Sequence, residues 1–406
     1  MSIMIDLPPV MAQEVKEYVT VRGTTLEQLF LDYLKTELKR WHEVDAVMSK
    51  LDALAKKTSA RLTGEACIAL LGAFALGANA APSPLASGTV VVTPCVEYNS
   101  WPMIQSVGGK LVCAYSRGSA HTIGEGRRGV FARTSSDGGC TWSDETCVVN
   151  DPEVGEVTIG KGLDANGDML LWVRNWGKTR RHDLYRTSDG VAFERISSPR
   201  LDPMPIQITD VFYVPGTGLM SLWFAGDYRK GEGNSWGTLT SEDNGRTWTQ
   251  RTVERGLPKM EWPTEQSAVC LGDGRILAVA RTERGGKCQF QLTSTDCGRT
   301  WCRRRTNISD VLESTPSLIY SPKTGLVSNY YYQRGARKLK CRVARAESVF
   351  LNPEAWPEPE VLAEGMEERD YDAGNVNATS SGAVHYLAFY TGSTSNTEVR
   401  VVRARR

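Results

Sequence analysis

The pattern of apolar and polar positions divides the chain into two parts. In about the first 60 residues, apolar positions follow mostly helical spacings, whereas from residue 95 onward short apolar runs of strand length alternate with glycine-containing turns. A polar opening, a strand, a turn with glycine and a second hydrophobic strand recur in six stretches, at 99–117, 157–174, 209–227, 263–281, 314–334 and 372–390. Residues 95–406 are therefore predicted to be all-β.

The N-terminal part, residues 1–62, is predicted to be small and mainly helical. Ahead of a further short helix, residues 2–7 alternate as a short strand, a first helix opens at Pro8-Pro9 and closes at Gly23, and Thr24 and Glu27 form a capping box for a second helix that ends near Arg40. This order loosely resembles a ribbon-helix-helix dimerisation module. Because residues 1–65 carry nine Lys/Arg and ten Asp/Glu, they lack a basic surface for DNA. We expect a homo-oligomerisation element and no nucleic-acid partner.

An apolar, uncharged segment at 66–81 separates the two parts, within a connecting region at 63–94. Basic residues precede it and Ala78-Asn79-Ala80 resembles a signal-peptidase site, yet it lies about 65 residues from Met1 and is short for a membrane span. A buried helix and a displaced secretory signal both remain open. A secreted, cell-surface or virion location is favoured, and a cytoplasmic one stays open.

One octamer repeats along the second part. It occurs at 135–142, 241–248 and 294–301, with a shortened copy at 187–193, in the pattern Ser/Thr-x-Asp-x-Gly-x-Thr-Trp. The aspartates at 137, 189, 243 and 296 are 52, 54 and 53 residues apart. A fixed period of this size is typical of propellers and other arrays. Dividing residues 95–406 by this period gives about six units, which predicts six four-stranded blades.

This octamer is the Asp-box, and on it the chain resembles the sialidase (neuraminidase) superfamily. The resemblance implies a six-bladed β-propeller with the Asp-boxes as structural turns on its outer rim. It also implies a glycoside hydrolase that cleaves sialic acid-containing glycans.

Arginine ends the second strand of four hairpins. Groups at equivalent places on several blades would form a ring of guanidinium groups, which bind carboxylates through paired hydrogen bonds. We expect Arg281, Arg334 and Arg117 to bind substrate and Arg174 to be structural. The alternative is that these arginines pair with acidic residues on the rim.

Glu265, Arg281, Arg334 and Tyr371 occur in the order and approximate spacing of sialidase active-site residues. The resemblance implies that Tyr371 is the nucleophile, that Glu265 activates it, and that the arginines hold the carboxylate of sialic acid. Sialidases are the tyrosine exception among glycosidases.

The first unit departs from the exo-sialidase pattern. Where those enzymes have Phe-Arg-Ile-Pro, this chain has Ser100-Trp101-Pro102-Met103, and the later acid position falls near His121. Trp and His together with the retained Glu and two Arg resemble the endosialidases of bacteriophage tailspikes, which cleave within polysialic acid. In that interpretation Trp101 stacks on a sugar and His121 binds it or relays a proton. A core tryptophan and an ordinary loop histidine are the alternatives.

Composition adds few constraints. The net charge of +1, 41% hydrophobic and 23% charged residues are those of an ordinary globular protein. The ten cysteines include no C-x-x-C pair and the four histidines are scattered, so no metal or other cofactor is expected. Cys140/Cys147 and Cys297/Cys302 could each close a hairpin disulfide or remain free thiols. A propeller lectin and a polysaccharide lyase are the competing functions, since one fold hosts many activities.

Overall fold

A computed structural model describes residues 88–121, 128–177, 180–228, 230–283, 288–311, 314–367 and 371–406. These residues belong to one compact unit that spans Pro84–Arg406. The predicted strand-helix-helix segment at 1–62 and the signal-like segment at 66–81 lie outside the described residues. No helix within the described ranges is long and apolar enough to cross a membrane.

The described residues are almost entirely β-structure. The strands are β1 (Val90–Thr93), β2 (Tyr98–Val107), β3 (Lys110–Gly118), β4 (Gly129–Ser135), β5 (Thr146–Val149), β6 (Val154–Leu163), β7 (Met169–Gly177), β8 (Arg181–Thr187), β9 (Glu194–Ser197), β10 (Gln207–Ile208), β11 (Phe212–Val214), β12 (Gly218–Ala225), β13 (Ser235–Ser241), β14 (Thr249–Arg255), β15 (Pro263–Gly272), β16 (Arg275–Thr282), β17 (Phe290–Ser294), β18 (Cys302–Arg305), β19 (Ser317–Ser321), β20 (Leu326–Gln333), β21 (Lys338–Arg345), β22 (Glu360–Glu364), β23 (Tyr371–Ser381), β24 (Val384–Ser393) and β25 (Thr397–Arg405). A 3₁₀ turn at Lys259–Glu261 and a short helix α1 (Ala346–Leu351) interrupt them.

The strands form antiparallel sheets of consecutive strands in a propeller-like arrangement. Strands β6–β9, β15–β18 and β19–β22 form three four-stranded sheets, and β10–β14 form a five-stranded one. A central cavity is lined by residues of β2, β6, β10, β15 and β23, so the first strands of different sheets surround one axis. The predicted all-β, propeller-like class is confirmed.

The prediction of six separate four-stranded blades is not met, because the described strands form five sheets. The units predicted first and last belong to one eight-stranded sheet, in the order β23-β24-β25-β2-β3-β4-β5 with β1 on β25. Strands β2 and β25 join through one parallel pair, Tyr98 with Thr397, and the Asn99 side chain donates to the Thr397 carbonyl at 2.9 Å. A repeat count gives the number of units but cannot reveal hydrogen bonds between the first and last. Strand β1 also extends the sheet upstream of residue 95.

Neighbouring sheets pack face to face, which is why the inner strands are apolar on both sides. Trp172 of β7 and Trp223 of β12 share one apolar cluster, and Trp236 of β13 and Phe290 of β17 share the next. All four side chains are buried. This packed core holds the inner strands in place, and polar residues lie at the ends of those strands.

The Asp-boxes form the predicted turns. Asp137 accepts hydrogen bonds from the amides of Cys140 and Thr141 at 2.9 and 3.0 Å and from the Thr141 hydroxyl at 2.6 Å. The boxes of Asp243 and Asp296 repeat the bonds to their threonines. The carboxylates of these aspartates accept hydrogen bonds within their own turns, which is the predicted structural role. Cys140, Cys147, Cys297 and Cys302, which could have closed hairpin disulfides, are free thiols.

Candidate functional site

Strands β2, β15 and β23 each have a β-bulge near their N-terminal end. Trp101 in β2, Glu265 in β15 and Asn375 in β23 have φ values of 49°, 44° and 44°, and each lies where the pairing register slips. A β-bulge re-aims a side chain, and non-glycine residues in this backbone region are strained and concentrate at functional sites. The bulges give Trp101 and Glu265 equivalent positions, which explains their equal 16-residue intervals to Arg117 and Arg281.

Glu265 is a buried, ionised carboxylate. Its Oε2 accepts from Arg281 Nη1 at 2.9 Å and from the Thr315 hydroxyl at 2.6 Å. Burial raises the pKa of Glu265. Arg281, Thr315 and Arg334 lower it by a larger amount, so the pKa lies below its usual value. Glu265 can therefore accept a proton or stabilise positive charge.

Arg281 lies between two carboxylates. Besides Glu265 it contacts Glu283, with 3.5 Å between Nε and Oε1, and the Thr264 hydroxyl donates to Glu283 at 2.6 Å. Burial lowers the pKa of Arg281, yet the two carboxylates raise it more, and it stays cationic. Part of its hydrogen-bonding capacity is thus already used by the protein.

Arg334 lies beside the same group without an ion pair in the part of the structure that is described. Its Nε donates to the Ala373 carbonyl at 2.9 Å. A Cβ on Gly374 would lie 3.0 Å from Arg334 Nη2, so glycine leaves room for the guanidinium. Its charge is also a minor cause that lowers the pKa of Glu265 and of Asp372. The predicted trio Glu265, Arg281 and Arg334 therefore comes together.

Trp101 and His121 also meet, with 5.5 Å between their ring centroids. His121 Nδ1 is 2.8 Å from Asp372 Oδ2 and 2.7 Å from the Tyr98 hydroxyl, which itself donates to Asp372. Burial raises the pKa of Asp372, but the bonds from His121 and Tyr98, with the charge of Arg334, lower it more. His121 is thus held against an ionised carboxylate.

Two further arginines, Arg128 and Arg174, are buried and have no carboxylate partner among the described residues. Arg128 lies 5.0 Å from the Trp101 ring centre and its Nη1 donates to the Ser100 hydroxyl at 3.2 Å. Burial lowers the pKa of Arg128. Burial also lowers the pKa of Arg174 to about 10, with smaller effects of Tyr228, Glu265 and Arg128. Arg174 thus lies within electrostatic range of both Glu265 and Arg128.

Arg117 is not part of this group. Its guanidinium binds both carboxylate oxygens of Glu145, Nη1 at 2.7 Å, and its Nε donates to Asn99 at 2.9 Å. The structure shows the alternative arrangement, an ion pair in which Glu145 already satisfies the charge, and the substrate-binding role of Arg117 stays a prediction. Arg174, expected to be structural, lies near Glu265 instead. Tyr371 opens β23, but its side chain lies outside the described part of the structure.

Tyr228 is a further residue that the sequence interpretation missed. Its ring packs 5.2 Å from that of Trp262. Burial and the charge of Glu265 raise the pKa of Tyr228 well above its usual value, although Arg281 and Arg174 oppose this. It is a neutral hydroxyl group near the buried ions.

Sequence signals for the missed residues differ. Asp372 directly follows Tyr371 in a stretch already singled out, so its position beside the site could have been noticed. Arg128 directly precedes β4 and Tyr228 lies in a loop, where the repeat has no recurring chemistry. Only the folded chain brings Arg128 to Trp101 and Tyr228 to Glu265.

Comparison with known proteins gives the fold but no established activity. A BNR repeat-like domain is recognised over residues 195–385. Similar structures include a protein of unknown function from Dyadobacter fermentans (17% identity, TM-score 0.63, 78% of this chain and 98% of that one). They also include Trypanosoma rangeli sialidase with the inhibitor DANA (13%, 0.60, 79% and 60%) and the NanB sialidase of Streptococcus pneumoniae (12%, 0.58, 76% and 68%).

No curated protein sequence matches the chain significantly. The chain spans about 60% of the T. rangeli sialidase. At these identities the likeness is one of fold. The chain thus matches the model of a BNR repeat-like domain over residues 195–385, and its described residues have a propeller fold similar to that of these sialidases.

Proposed function

We propose that the protein is a glycoside hydrolase of the sialidase type that acts on sialic acid-containing glycans. The observation that carries the proposal is the meeting of Glu265, Arg281 and Arg334 with the Trp101–His121 pair at the bulged strand ends. It combines an ionised carboxylate, cations for an acidic sugar, an aromatic face and a histidine. The sialidase-like fold supports the same class.

An anionic substrate follows from the unpaired guanidinium groups. Burying a cation without a counter-ion is costly, so the buried Arg128 and Arg174, with the partly buried Arg334, favour a ligand that brings negative charge. Arg128 binds Ser100, which stands in the stretch that lacks the exo-sialidase arginine. We therefore assign Arg128 the carboxylate-binding role in the first unit.

The chemistry requires a nucleophile and a proton donor. In the exo-type mechanism Glu265 takes the phenolic proton of Tyr371, whose oxygen bonds to the anomeric carbon as the glycosidic bond breaks. His121 in its imidazolium form gives the leaving oxygen its Nε2 proton and then takes one from the water that releases the sugar, while Glu265 returns its proton to the Tyr371 oxygen. In an endo-type mechanism Tyr371 is not required and His121 has the larger role.

A lectin is the second candidate, and the first unit favours it. Ser100-Trp101-Pro102-Met103 has no arginine, and the bonds of Glu265 to Arg281 and Thr315 would persist in a site that only binds. Such a protein would keep the anion affinity without turnover.

The test uses a fluorogenic sialoside and, separately, polysialic acid. The exo-type mechanism predicts that Tyr371→Phe abolishes turnover but leaves binding intact, whereas the endo-type predicts that His121→Ala is the more damaging change. Tyr213→Phe, at a tyrosine that is 59% exposed, is the matched control. Binding without cleavage by the wild type would establish the lectin, and neither binding nor cleavage would reject both.

Arg281→Ala tests the carboxylate contact within the same proposal. Losing a charge-assisted hydrogen bond costs about 1.5–3 kcal/mol, or roughly a ten- to hundredfold loss of affinity. Arg275→Ala is the matched control, because Arg275 lies at the other end of β16 in a surface ion pair with Glu347. Equal losses in the two variants would contradict a binding role for Arg281.

A further inference from the structure

We propose that Asp372, together with Tyr98, is a positioning residue that fixes the proton of His121 on Nδ1 and leaves Nε2 as the atom that exchanges protons with a ligand. The catalytic consequence rests on the proposed glycosidase function. The tautomer itself is a property of the free protein and can be measured separately.

Both oxygens of Asp372 are occupied, which makes it an anchor. Oδ1 accepts from the Ala373 amide at 2.8 Å, and Oδ2 accepts from the Tyr98 hydroxyl and from His121 Nδ1. Both carboxylate oxygens are thus already engaged within the protein, and Asp372 acts through the histidine. An ionised carboxylate opposite Nδ1 selects the tautomer that can donate to it.

The anchor is held by the fold. Tyr98 is fully buried and its ring lies 5.9 Å from that of Tyr390. Strands β2 and β23, which carry Tyr98 and Asp372, are linked where the Ile104 amide donates to Asn377 at 3.0 Å. The two groups that contact Nδ1 therefore come from a rigid part of the sheet.

The other edge of the imidazole is available. The His121 side chain is 48% exposed, against 17% for Asp372. Nε2 has no hydrogen-bond partner in the part of the chain that is described, and the ring lies beside Trp101, the candidate sugar-stacking residue. A histidine with one nitrogen anchored and the other free is suited to general acid–base work.

The experiment is ¹⁵N NMR of the histidine rings in the full-length protein. The chain has four histidines, so His121→Gln identifies the signal of interest. The wild type should show the Nδ1–H tautomer of neutral His121. Asp372→Ala should lower its fraction clearly, and Asp372→Glu should restore part of it. Asp310→Ala is the matched control, because Asp310 also accepts from a tyrosine hydroxyl, that of Tyr331.

Tyr98→Phe keeps the proposal testable if Asp372→Ala does not fold, since it removes only a hydroxyl and should shift the tautomer in the same direction. An Nε2–H tautomer in the wild type, or an unchanged ring spectrum in both variants, would overturn the proposal whatever the activity.

Activity separates this proposal from the proposed function. If the enzyme cleaves sialosides, Asp372→Ala should lower kcat about 10- to 100-fold with little change in KM, which does not exceed the lower end of the roughly 10²–10⁴-fold that acid–base catalysis contributes. A tautomer shift in a protein without turnover would leave the positioning role standing and reject the glycosidase. Turnover that is unaffected by a proven tautomer shift would remove the catalytic consequence.

Discussion

At the scale of residues, order and spacing identified Glu265, Arg281 and Arg334, because equivalent strand ends converge in a repeat fold. Arg117 also ends its strand but pairs with Glu145, so its binding role stays a prediction. A strand end brings an arginine near the axis, but a local carboxylate decides whether it stays free, and Glu145 captures Arg117. Arg128 has no such partner in the described ranges, and no repeat position marks it.

Arg128 should therefore behave as a functional rather than a stabilising residue. Arg128→Met removes an uncompensated buried charge. Arg117→Met instead leaves the Glu145 carboxylate without its cationic partner. We expect the free energy of unfolding, measured with urea, to fall less for Arg128→Met than for Arg117→Met.

Ligand affinity should show the reverse order. Arg128→Met should weaken binding of a sialic acid roughly ten- to hundredfold. The same sugar with its carboxyl group reduced should bind both proteins alike. A larger loss of affinity in Arg117→Met would contradict the assignment.

At the scale of elements, the Asp-box turns were predictable because Asp, Gly, Thr and Trp each have a fixed task within eight residues. The shortened copy shows what is lost when one is absent. Asp189 accepts from the amides of Val191 and Ala192 at 2.8 and 2.9 Å, but the threonine hydroxyl of the other boxes is missing.

Ala192→Thr should restore that hydroxyl bond. In an exposed turn we expect a gain of about 0.5 kcal/mol in the free energy of unfolding, at the lower end of net hydrogen-bond contributions. Val191→Thr is the matched control, because it adds a hydroxyl at the neighbouring position, and should give no gain. Similar values for the two variants would show that the hydroxyl position is unimportant.

The same turns should make the domain sensitive to acid. The slight burial of Asp296 raises its pKa. Hydrogen bonds from Thr300 and Ser294 lower this pKa by more, to about 2, against about 3.9 in an unfolded chain. The native state then binds fewer protons than the unfolded state between these values, so the contribution is present at neutral pH and is lost as the pH falls from about 4 to 2.

Thermal unfolding between pH 7 and pH 2 measures this effect. Asp296→Asn should lower Tm at pH 7 and reduce the further fall of Tm below pH 4. Asp189→Asn, in the box that lacks the threonine, should change both quantities less. An acid profile that Asp296→Asn leaves unaltered would contradict the prediction.

At the scale of the whole molecule, the alternation of strands and turns predicted the fold class, but not the distribution of strands among sheets. Periodicity concerns neighbours in sequence, whereas β1 pairs with β25 and β2 meets β25 from the opposite end of the described chain. Such pairing depends on which ends meet in space. The same limit hid Asp372 opposite Tyr98, since those residues lie 274 positions apart.

A chain that begins at Ala81 should fold without the N-terminal segment and give a β-dominated circular dichroism spectrum. A chain that begins at Cys95 lacks β1 and should unfold at a lower temperature, because the pairs of Val90 with Val401 and Val91 with Arg400 are lost. Equal Tm values for the two would show that β1 adds nothing, and a helical spectrum would contradict the division.

The pairing of Asn99 with Thr397 also bears on how the protein is made. The ribosome delivers Asn99 298 residues before Thr397, so the eight-stranded sheet cannot be completed until Thr397 has been made, whereas the other four sheets can form as they emerge. A nascent chain arrested before Thr397 would hold four finished sheets beside β2, the strand that carries Trp101, paired with β3 but not with β25. Sugar binding and protease resistance of β2 should therefore rise once Thr397 has left the ribosome.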